Sequence, residues 1–349
     1  MATLGETAIV ARKAIKFGAI GLVVLMIGRV VVTSAYTYWK TLHPDPPPPP
    51  DVKFGKLPKL VFPQKEPIPI QYSLETRTGA LPTNLPTQFT VYFMPIKKPS
   101  LLAYDAAKSV ATRLDFIAEP LKLSEDTYRW DATDPIPSTF TINVITGAFV
   151  LDRRWQVEPS YTTPNLIFND EQAEDRVLNI LSRLELLPED IKEGEVTMNE
   201  LKADKDQIVS AVSRSQAHFV RVNLYRKPVE EIPVVYPRSD RGPISVILAL
   251  QRDEDKQFVN IDYNYYPVER ETSAVYPIIS AAEAWKRLQA GNGYVVNVKQ
   301  NVATTVVRDI SIEYYDAEEP QQYLQPVYVF RGDNDFVAYV PALSDAWVE

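Results

Sequence analysis

The chain has 349 residues, of which 45% are hydrophobic and 23% charged, a composition typical of globular proteins with sizeable cores. It contains no cysteine, which excludes disulfides, thiolate metal sites and a cysteine nucleophile. The net charge of −8 is divided unevenly, since residues 1–40 carry +4 and the remainder −12. So acidic a body argues against nucleic acid as a partner, because phosphate binding needs a basic face.

The segment at 17–35, FGAIGLVVLMIGRVVVTSA, is apolar or small except for Arg29. As a helix it would reach roughly 28 Å, about the thickness of the hydrocarbon layer of a membrane. Basic residues precede it and aromatic residues follow it, which predicts a cytoplasmic N-terminus. We therefore expect a cytoplasmic leader at 1–13, a transmembrane helix at 14–39 in contact with membrane lipid, and a single-pass protein of the cell membrane whose body is extracytoplasmic. The alternative is a signal peptide that is cleaved after Ala35.

Proline dominates the segment that follows, with the sequence HPDPPPPP at 43–50. Consecutive prolines favour the extended polyproline II conformation, which has no internal hydrogen bonds and acts as a semi-rigid spacer. The sequence therefore predicts a Pro-rich stalk at 40–59 between the membrane and the body.

The body combines a few helical segments with many alternating ones. Helical periodicity indicates helices near residues 100, 170 and 280. Ser280 with Glu283 forms a capping-box pattern at the start of the third helix, and Gly291 is expected to end that helix. The alternating runs at 244–250 and 258–266 are typical of half-buried antiparallel strands. We therefore expect an α+β fold in which each antiparallel sheet carries a packed helix. The expected units are 60–160, 161–240 and 241–349.

Three segments near the C-terminus carry a family resemblance. They are AVYPIISAAEAWKRLQAGNGYV at 274–295, DISIEYYD at 309–316 and YLQPVYVFRGDNDFVAYVPAL at 323–343. Together they resemble the end of extracytoplasmic regulators of the YycH/YycI type, and also PepSY-type α+β modules. The resemblance implies a non-enzymatic unit at 241–349 and a membrane sensor kinase as partner. The segment FGKLPKLVFP at 54–63 is similar to uncharacterised envelope proteins of candidate-phyla bacteria.

Candidate chemical groups are few. Several carboxylates are possible acid–base pairs for glycoside hydrolysis, although they lie in turn-rich, polar sequence: Glu119, Glu125, Asp126, Asp131 and Asp134. The cluster at 333–335 offers oxygen ligands but lacks the length of a calcium loop and is better read as a hairpin turn. His218 begins an alternating strand, which favours a structural role. We therefore expect no enzyme activity, no cofactor and no metal site.

Tyrosine is abundant in the last third of the chain, and tyrosine is enriched at protein interfaces. Possible partner contacts are Arg29, Tyr263, Tyr265, Tyr314 and Tyr328. The alternatives are cross-strand packing for the tyrosines and snorkelling to the membrane surface for Arg29. The sequence as a whole predicts a regulatory or scaffolding interaction protein of the bacterial envelope, with another envelope protein as partner. The alternatives are a glycan-acting hydrolase of the envelope and a self-associating structural protein of the cell surface.

Overall fold

The structure is a computed structural model that describes residues 4–42, 49–65, 68–134, 136–166, 168–299 and 302–349. It divides into two compact units, 1–49 and 50–349. Most of the predicted proline run, at 43–48, lies outside the described residues. The helices are α1 Leu4–Leu42, α2 Ala103–Arg113, α3 Asp170–Arg183, α4 Glu189–Lys192 and α5 Ala281–Gln289.

Helix α1 contains the apolar segment that the sequence assigned to a membrane. Arg29 interrupts that segment, and the hydroxyl of Thr33 donates a hydrogen bond to the Arg29 carbonyl over 2.8 Å. Within the ranges that the structure describes, no helix has both the length and the apolar character needed to cross a membrane. The prediction of a transmembrane helix at 14–39 is therefore wrong. The single-pass anchor and the cell-membrane location that rested on it are wrong as well.

The second unit is built mainly from strands. In chain order they are β1 Gln71–Leu74, β2 Gln88–Phe93, β3 Leu121–Lys122, β4 Thr127–Ala132, β5 Ser138–Asn143, β6 Phe149–Arg153, β7 Val196–Asp204, β8 Gln207–Ser210, β9 Phe219–Leu224, β10 Val234–Val235, β11 Ile244–Ala249, β12 Phe258–Tyr263, β13 Glu269–Pro277, β14 Tyr294–Asn297, β15 Thr304–Tyr315, β16 Tyr323–Gly332 and β17 Phe336–Pro341. Short 3-10 turns lie at Trp155–Val157, Pro159–Thr162, Arg214–Gln216, Glu254–Lys256 and Asp345–Trp347.

Nine of these strands form one antiparallel sheet in the order β3-β4-β5-β6-β12-β11-β9-β7-β8. Helices α2 and α3 cover one face, where Ala111 and Val177 are fully buried against strand residues such as Trp130. The opposite face buries a smaller cluster around Phe219. Helix α3 begins with a capping box, because Asn169 and Gln172 exchange side-chain and backbone hydrogen bonds of 2.7 and 3.1 Å.

The second sheet has eight strands along the path β1-β15-β16-β17-β14, with β10 beside β15 and β2 between β16 and β13. Helix α5 packs on one face through Ala284 and Leu288, which are buried. The hydroxyl of Ser280 caps α5 by accepting from the Glu283 amide over 3.2 Å, and Gly291 ends it with a positive φ of 80°. The predicted helix, its cap at Ser280 and its end at Gly291 are confirmed, while the Glu283 carboxylate, which a capping box places on the Ser280 amide, accepts from Arg287 over 3.2 Å.

The expected α+β fold class is wrong, because the body is mostly β. Its two large sheets are assembled from distant parts of the chain, such as β6 with β12 and β2 with β13. Strands from both sides of the expected boundaries at 160 and 240 therefore pair in the same sheets. Periodicity identifies individual strands, but it carries no information about which distant strand each one joins.

A buried ion cluster joins the two sheets at the point where β9 and β15 end. Arg226 follows β9 in the nine-stranded sheet, Asp316 follows β15 in the eight-stranded sheet, and Asp190 lies on α4. The Arg226 side chain is 1% exposed, that of Asp316 2% and that of Asp190 17%. We call these three residues the Arg226 joint.

Arg226 uses its whole guanidinium in the Arg226 joint. Its Nε and Nη2 lie 3.2 and 3.1 Å from Oδ2 of Asp316, and its Nη1 donates to Asp190. Nη2 also donates to the carbonyl of Tyr266 over 2.7 Å, while the guanidinium lies 4.7 Å from the ring centroid of Tyr265. Oδ1 of Asp316 has no hydrogen-bond partner among the described residues. Two carboxylates thus share one cation, and burial raises the pKa of Asp316.

We expect Arg226→Met to destabilise the body by about 3–5 kcal/mol, because it leaves buried carboxylates without their cation. The free energy of unfolding in urea measures this. Arg129→Gln is the matched control, since the Arg129–Asp131 pair is exposed and its loss should cost no more than about 1 kcal/mol. Equal costs for the two variants would contradict a supporting role for the Arg226 joint.

The raised pKa of Asp316 also predicts a pH dependence. The folded state holds this proton more tightly than the unfolded state, so the contribution of Asp316 to stability is greatest below its ordinary pKa of 3.8 and is lost as the pH rises through the folded-state pKa. The free energy of unfolding in urea of Asp316→Asn should therefore increase relative to that of the unmodified chain as the pH rises from 4 to 7.

Asp333→Asn is the control. Arg308 holds the pKa of Asp333 below its ordinary value of 3.8, so the contribution of Asp333 to stability is present at pH 4 to 7 and is lost only below that range. The difference in unfolding free energy between Asp333→Asn and the unmodified chain should therefore stay nearly constant from pH 4 to 7. A constant difference between Asp316→Asn and the unmodified chain across this pH range would contradict the assignment.

Candidate functional site

A pocket lies beneath the segment 51–65, which we call the strap. The strap crosses the eight-stranded sheet after a turn at 52–55, where the amide of Gly55 donates to the carbonyl of Val52 over 2.9 Å, and it is held mainly by its backbone. The amide of Val275 donates to Oδ1 of Asp51 over 2.8 Å, and the hydroxyl of Tyr276 donates to the carbonyl of Gly55 over 2.9 Å. The expected stalk at 40–59 therefore includes residues that pack on the body.

The strap is fixed further along by the end of the chain and by a central strand. Leu57 is fully buried and forms a parallel bridge with Val348. Nε2 of Gln325, on β16, donates to the carbonyl of Pro58 over 2.9 Å. These contacts place the basic part of the strap, which holds Lys59 and Lys65, against the edge of the sheet.

Phe62 anchors the second half of the strap. Its ring stacks on Tyr294 with centroids 5.0 Å apart and contacts Tyr315 at 4.8 Å. The hydroxyl of Tyr315 donates to the neighbouring carbonyl of Val61 over 3.1 Å. Burial raises the pKa of Tyr294 to about 12, so its hydroxyl stays protonated and donates to the carbonyl of Pro237 over 2.9 Å.

The strap pocket has a volume of about 580 Å³, which is within the range of small-ligand sites. Its walls come from the strap, from β1 and β16, from the turn between α5 and β14, and from the end of the chain. They are Lys59, Leu60, Phe62, Pro63, Gln64, Lys65, Ile68, Tyr72, Arg287, Gly291, Asn292, Gly293, Tyr294, Val295, Gln325, Pro341, Leu343, Asp345 and Val348.

The charges around the strap pocket are unbalanced. Arg287 and Asp345 neutralise each other through two hydrogen bonds of 3.0 and 2.8 Å. Lys59 and Lys65 form no ion pair with any carboxylate of the described residues. Lys65 instead donates from Nζ to the carbonyls of Val295 and Val296, over 3.4 and 2.7 Å. The lining therefore carries a net charge of about +2 in a protein whose net charge is −8.

Burial lowers the pKa of Lys65, and Arg238 lowers it further, while Asp240 and Glu318 act in the opposite direction. The ammonium also lies 5.0 Å from the ring centroid of Tyr294. Lys65 is thus an exposed residue whose ammonium is only partly shielded from solvent, and the acceptors that it contacts are neutral carbonyls. A perturbed titratable group in a pocket of this size marks a candidate binding site.

The structure places most of the predicted contact tyrosines inside the body. Tyr263, Tyr314 and Tyr328 are buried, and the hydroxyls of the last two donate to the carbonyls of Thr90 and Ile279. Tyr265 is partly buried, and its hydroxyl donates to Asp190 over 2.9 Å. Arg29 is exposed on α1. None of the four tyrosines lines the strap pocket.

The other candidate groups are dispersed. Asp126 accepts hydrogen bonds from Ser124, Thr127 and Asn143, and the other four carboxylates form exposed ion pairs or remain at the surface. His218 accepts from the amide of Ala203 through Nδ1 over 3.0 Å, so its predicted structural role is confirmed. The described residues contain no group of three or more side chains placed to hold a metal ion.

The sequence analysis predicted neither the lysines of the strap pocket nor the three residues of the Arg226 joint. The signal for the strap pocket was the basic run FGKLPKLVFPQK at 54–65 inside an otherwise acidic body. The sequence analysis assigns its first part, 54–59, to the stalk and the remainder to the first unit of the body. Arg226, Asp190 and Asp316 carry no local pattern, because they lie far apart in the chain.

No protein-family model matches this chain, and no curated protein matches it. A solved structure that it resembles is an uncharacterized protein from Eubacterium rectale ATCC 33656. The two share 12% identity and a TM-score of 0.32 over 75% of this chain and 84% of that one. A likeness this weak supports no conclusion about fold or function. The resemblance to YycH/YycI-type and PepSY-type proteins, with the sensor kinase it implies, stays a prediction.

We expect Phe62→Ala to release the strap. The substitution removes the ring that contacts Tyr294 and Tyr315, and the loss of a half-buried aromatic ring should cost about 2 kcal/mol. Trypsin should then cleave after Lys59 faster than in the unmodified chain. Val61→Ala is the control, because Val61 is 65% exposed. Equal cleavage rates in the two variants would show that Phe62 does not hold the strap.

Proposed function

We propose that this chain is a non-catalytic interaction protein, with a regulatory or scaffolding role, whose strap pocket binds an anionic group of a partner protein. The single observation that carries the proposal is the pair of unneutralised lysines in a pocket with apolar and aromatic walls. A lysine ammonium in this pocket forms a stronger hydrogen bond with a carboxylate than with the neutral carbonyls that Lys65 contacts, because both partners then carry opposite charges.

The composition of the pocket favours binding over hydrolysis. Glycoside hydrolysis uses two carboxylates at a set separation. Among its described lining residues the strap pocket has one carboxylate, Asp345, and Arg287 already occupies both of its oxygens. The five carboxylates that the sequence suggested as acid–base pairs do not line this pocket.

The proposal is tested with the full chain and the fluorescent probe 1-anilinonaphthalene-8-sulfonate, which combines an aromatic body with one negative charge. We expect Lys59→Gln/Lys65→Gln to weaken binding about tenfold, since each charge-assisted contact contributes on the order of 1 kcal/mol. Lys98→Gln, on the surface outside the pocket, should leave the dissociation constant unchanged.

The uncharged analogue N-phenyl-1-naphthylamine separates charge from apolar contact. Its affinity should be the same in the double variant and in the unmodified chain. If the sulfonate probe binds the Lys59→Gln/Lys65→Gln variant as tightly as the unmodified chain, with unfolding midpoints also equal, the proposed role of the strap pocket is wrong.

A further inference from the structure

Among the residues that the structure describes, no strand pairs with the outer edge of β14 where it borders the strap pocket. Strand β14 is the last strand on the path of the eight-stranded sheet, and its described partner is β17. Tyr294 pairs with Tyr339, Val295 with Ala338 and Asn297 with Val337, so Val296 is an extra residue that the ladder leaves unpaired. An edge with unpaired backbone groups is a template for another strand.

Lys65 covers this edge in place of a strand. Its Nζ donates to the carbonyls of Val295 and Val296 at the bulge, so it occupies the outer edge of β14, where a backbone amide of an added strand would donate. Lysine on an edge is a common device against unwanted strand pairing. Here the Lys65 side chain donates only to neutral carbonyls, so a stronger acceptor can replace these carbonyls as its hydrogen-bond partner.

A carboxylate is such an acceptor, because an ammonium–carboxylate hydrogen bond is stronger than an ammonium–carbonyl one. When Lys65 turns to a carboxylate, the carbonyls of Val295 and Val296 become free to accept from backbone amides. The charged groups that influence Lys65 are Arg238, Asp240 and Glu318. Lys59 adds a second positive charge on the strap side of the same pocket.

Resting on the function proposed above, we propose that the partner presents an extended, acidic peptide segment that adds as a strand to the edge of β14. A carboxylate of this segment accepts hydrogen bonds from Lys65, which then no longer donates to the carbonyls of Val295 and Val296. The charge complementarity of the lining and the open backbone edge point to the same occupant. Four residues of β14 span about 13 Å, so a segment of about five residues fits. In β-strand addition the main chain supplies affinity and the pockets supply selectivity.

The test uses the full chain and three capped pentapeptides: acetyl-Glu-Val-Thr-Val-Glu-amide, its counterpart with glutamine in place of both glutamates, and the acidic peptide with alternate backbone amides methylated. We expect the acidic peptide to bind about tenfold more tightly than the glutamine peptide. Methylation should weaken binding at least tenfold, since it removes the donors to β14. Hydrogen exchange at 294–297 should slow when the acidic peptide is bound.

Lys65→Ala provides the decisive comparison. It uncovers the edge and removes one of the two charges, so both unmethylated peptides should bind and the tenfold preference for the acidic one should fall to about threefold, which is the part due to Lys59. Lys98→Ala should keep the preference. A merely structural role for Lys65 would change both affinities together and leave their ratio intact.

An unmodified chain that fails to prefer the acidic peptide, or that tolerates backbone methylation, would overturn the inference. The naphthalene sulfonate measurement separates this failure from that of the proposed function. If the sulfonate binds through Lys59 and Lys65 while the peptides do not bind, the strap pocket is an anion site without strand addition. If neither binds, both proposals are wrong.

Discussion

The body depends on a guanidinium enclosed between two sheets. Arg226 contacts a carboxylate from each side and the carbonyl of Tyr266, so it ties the end of β9 to the end of β15 and to α4. Beside it lies an apolar junction of Tyr92, Met94 and other buried side chains. The hydrogen bonds of the buried guanidinium have a defined geometry, so they specify the position of each sheet relative to the other through a contact that tolerates little displacement. We regard the Arg226 joint as a device for specificity more than for net stability, since burying three charges is costly.

The cluster also explains why the strap has a fixed surface to cross. The Arg226 joint fixes the end of β15, and the next residue back, Tyr315, contacts Phe62 and donates to the strap backbone. Tyr294 and Tyr339 complete the same aromatic layer. The strap pocket is therefore built on the rigid face of a sheet, which keeps Lys65 at the edge of β14. A binding group placed in this way loses little freedom when a ligand arrives.

Local patterns in the sequence carried part of this fold. The helices near residues 100, 170 and 280 followed from apolar spacing and cap residues, and β11 and β12 followed from alternation. The sheet order did not follow, because pairs such as β2 with β13 join segments with no local relation. The sequence left two interpretations of the tyrosines open, partner contact and cross-strand packing, and residues such as Tyr314 prove to be buried with their hydroxyls hydrogen-bonded internally. The apolar segment with Arg29 was given too much weight as a membrane signal. Neither the strap pocket nor the Arg226 joint has a sequence motif, because both are formed by residues that lie far apart in the chain.

The bridge between Leu57 and Val348 has a consequence for biosynthesis. The amide of Leu57 donates to the carbonyl of Trp347, and the amide of Glu349 donates to the carbonyl of Leu57, so this early segment of the body pairs with residues almost 300 positions later. A ribosome must therefore translate through residue 349 before this clasp closes. Strand β2 likewise stays an open template on the nascent chain until its partners β13 and β16 have been made. Such delayed closure is the period in which a chain of this topology is most exposed to aggregation and to capture by chaperones.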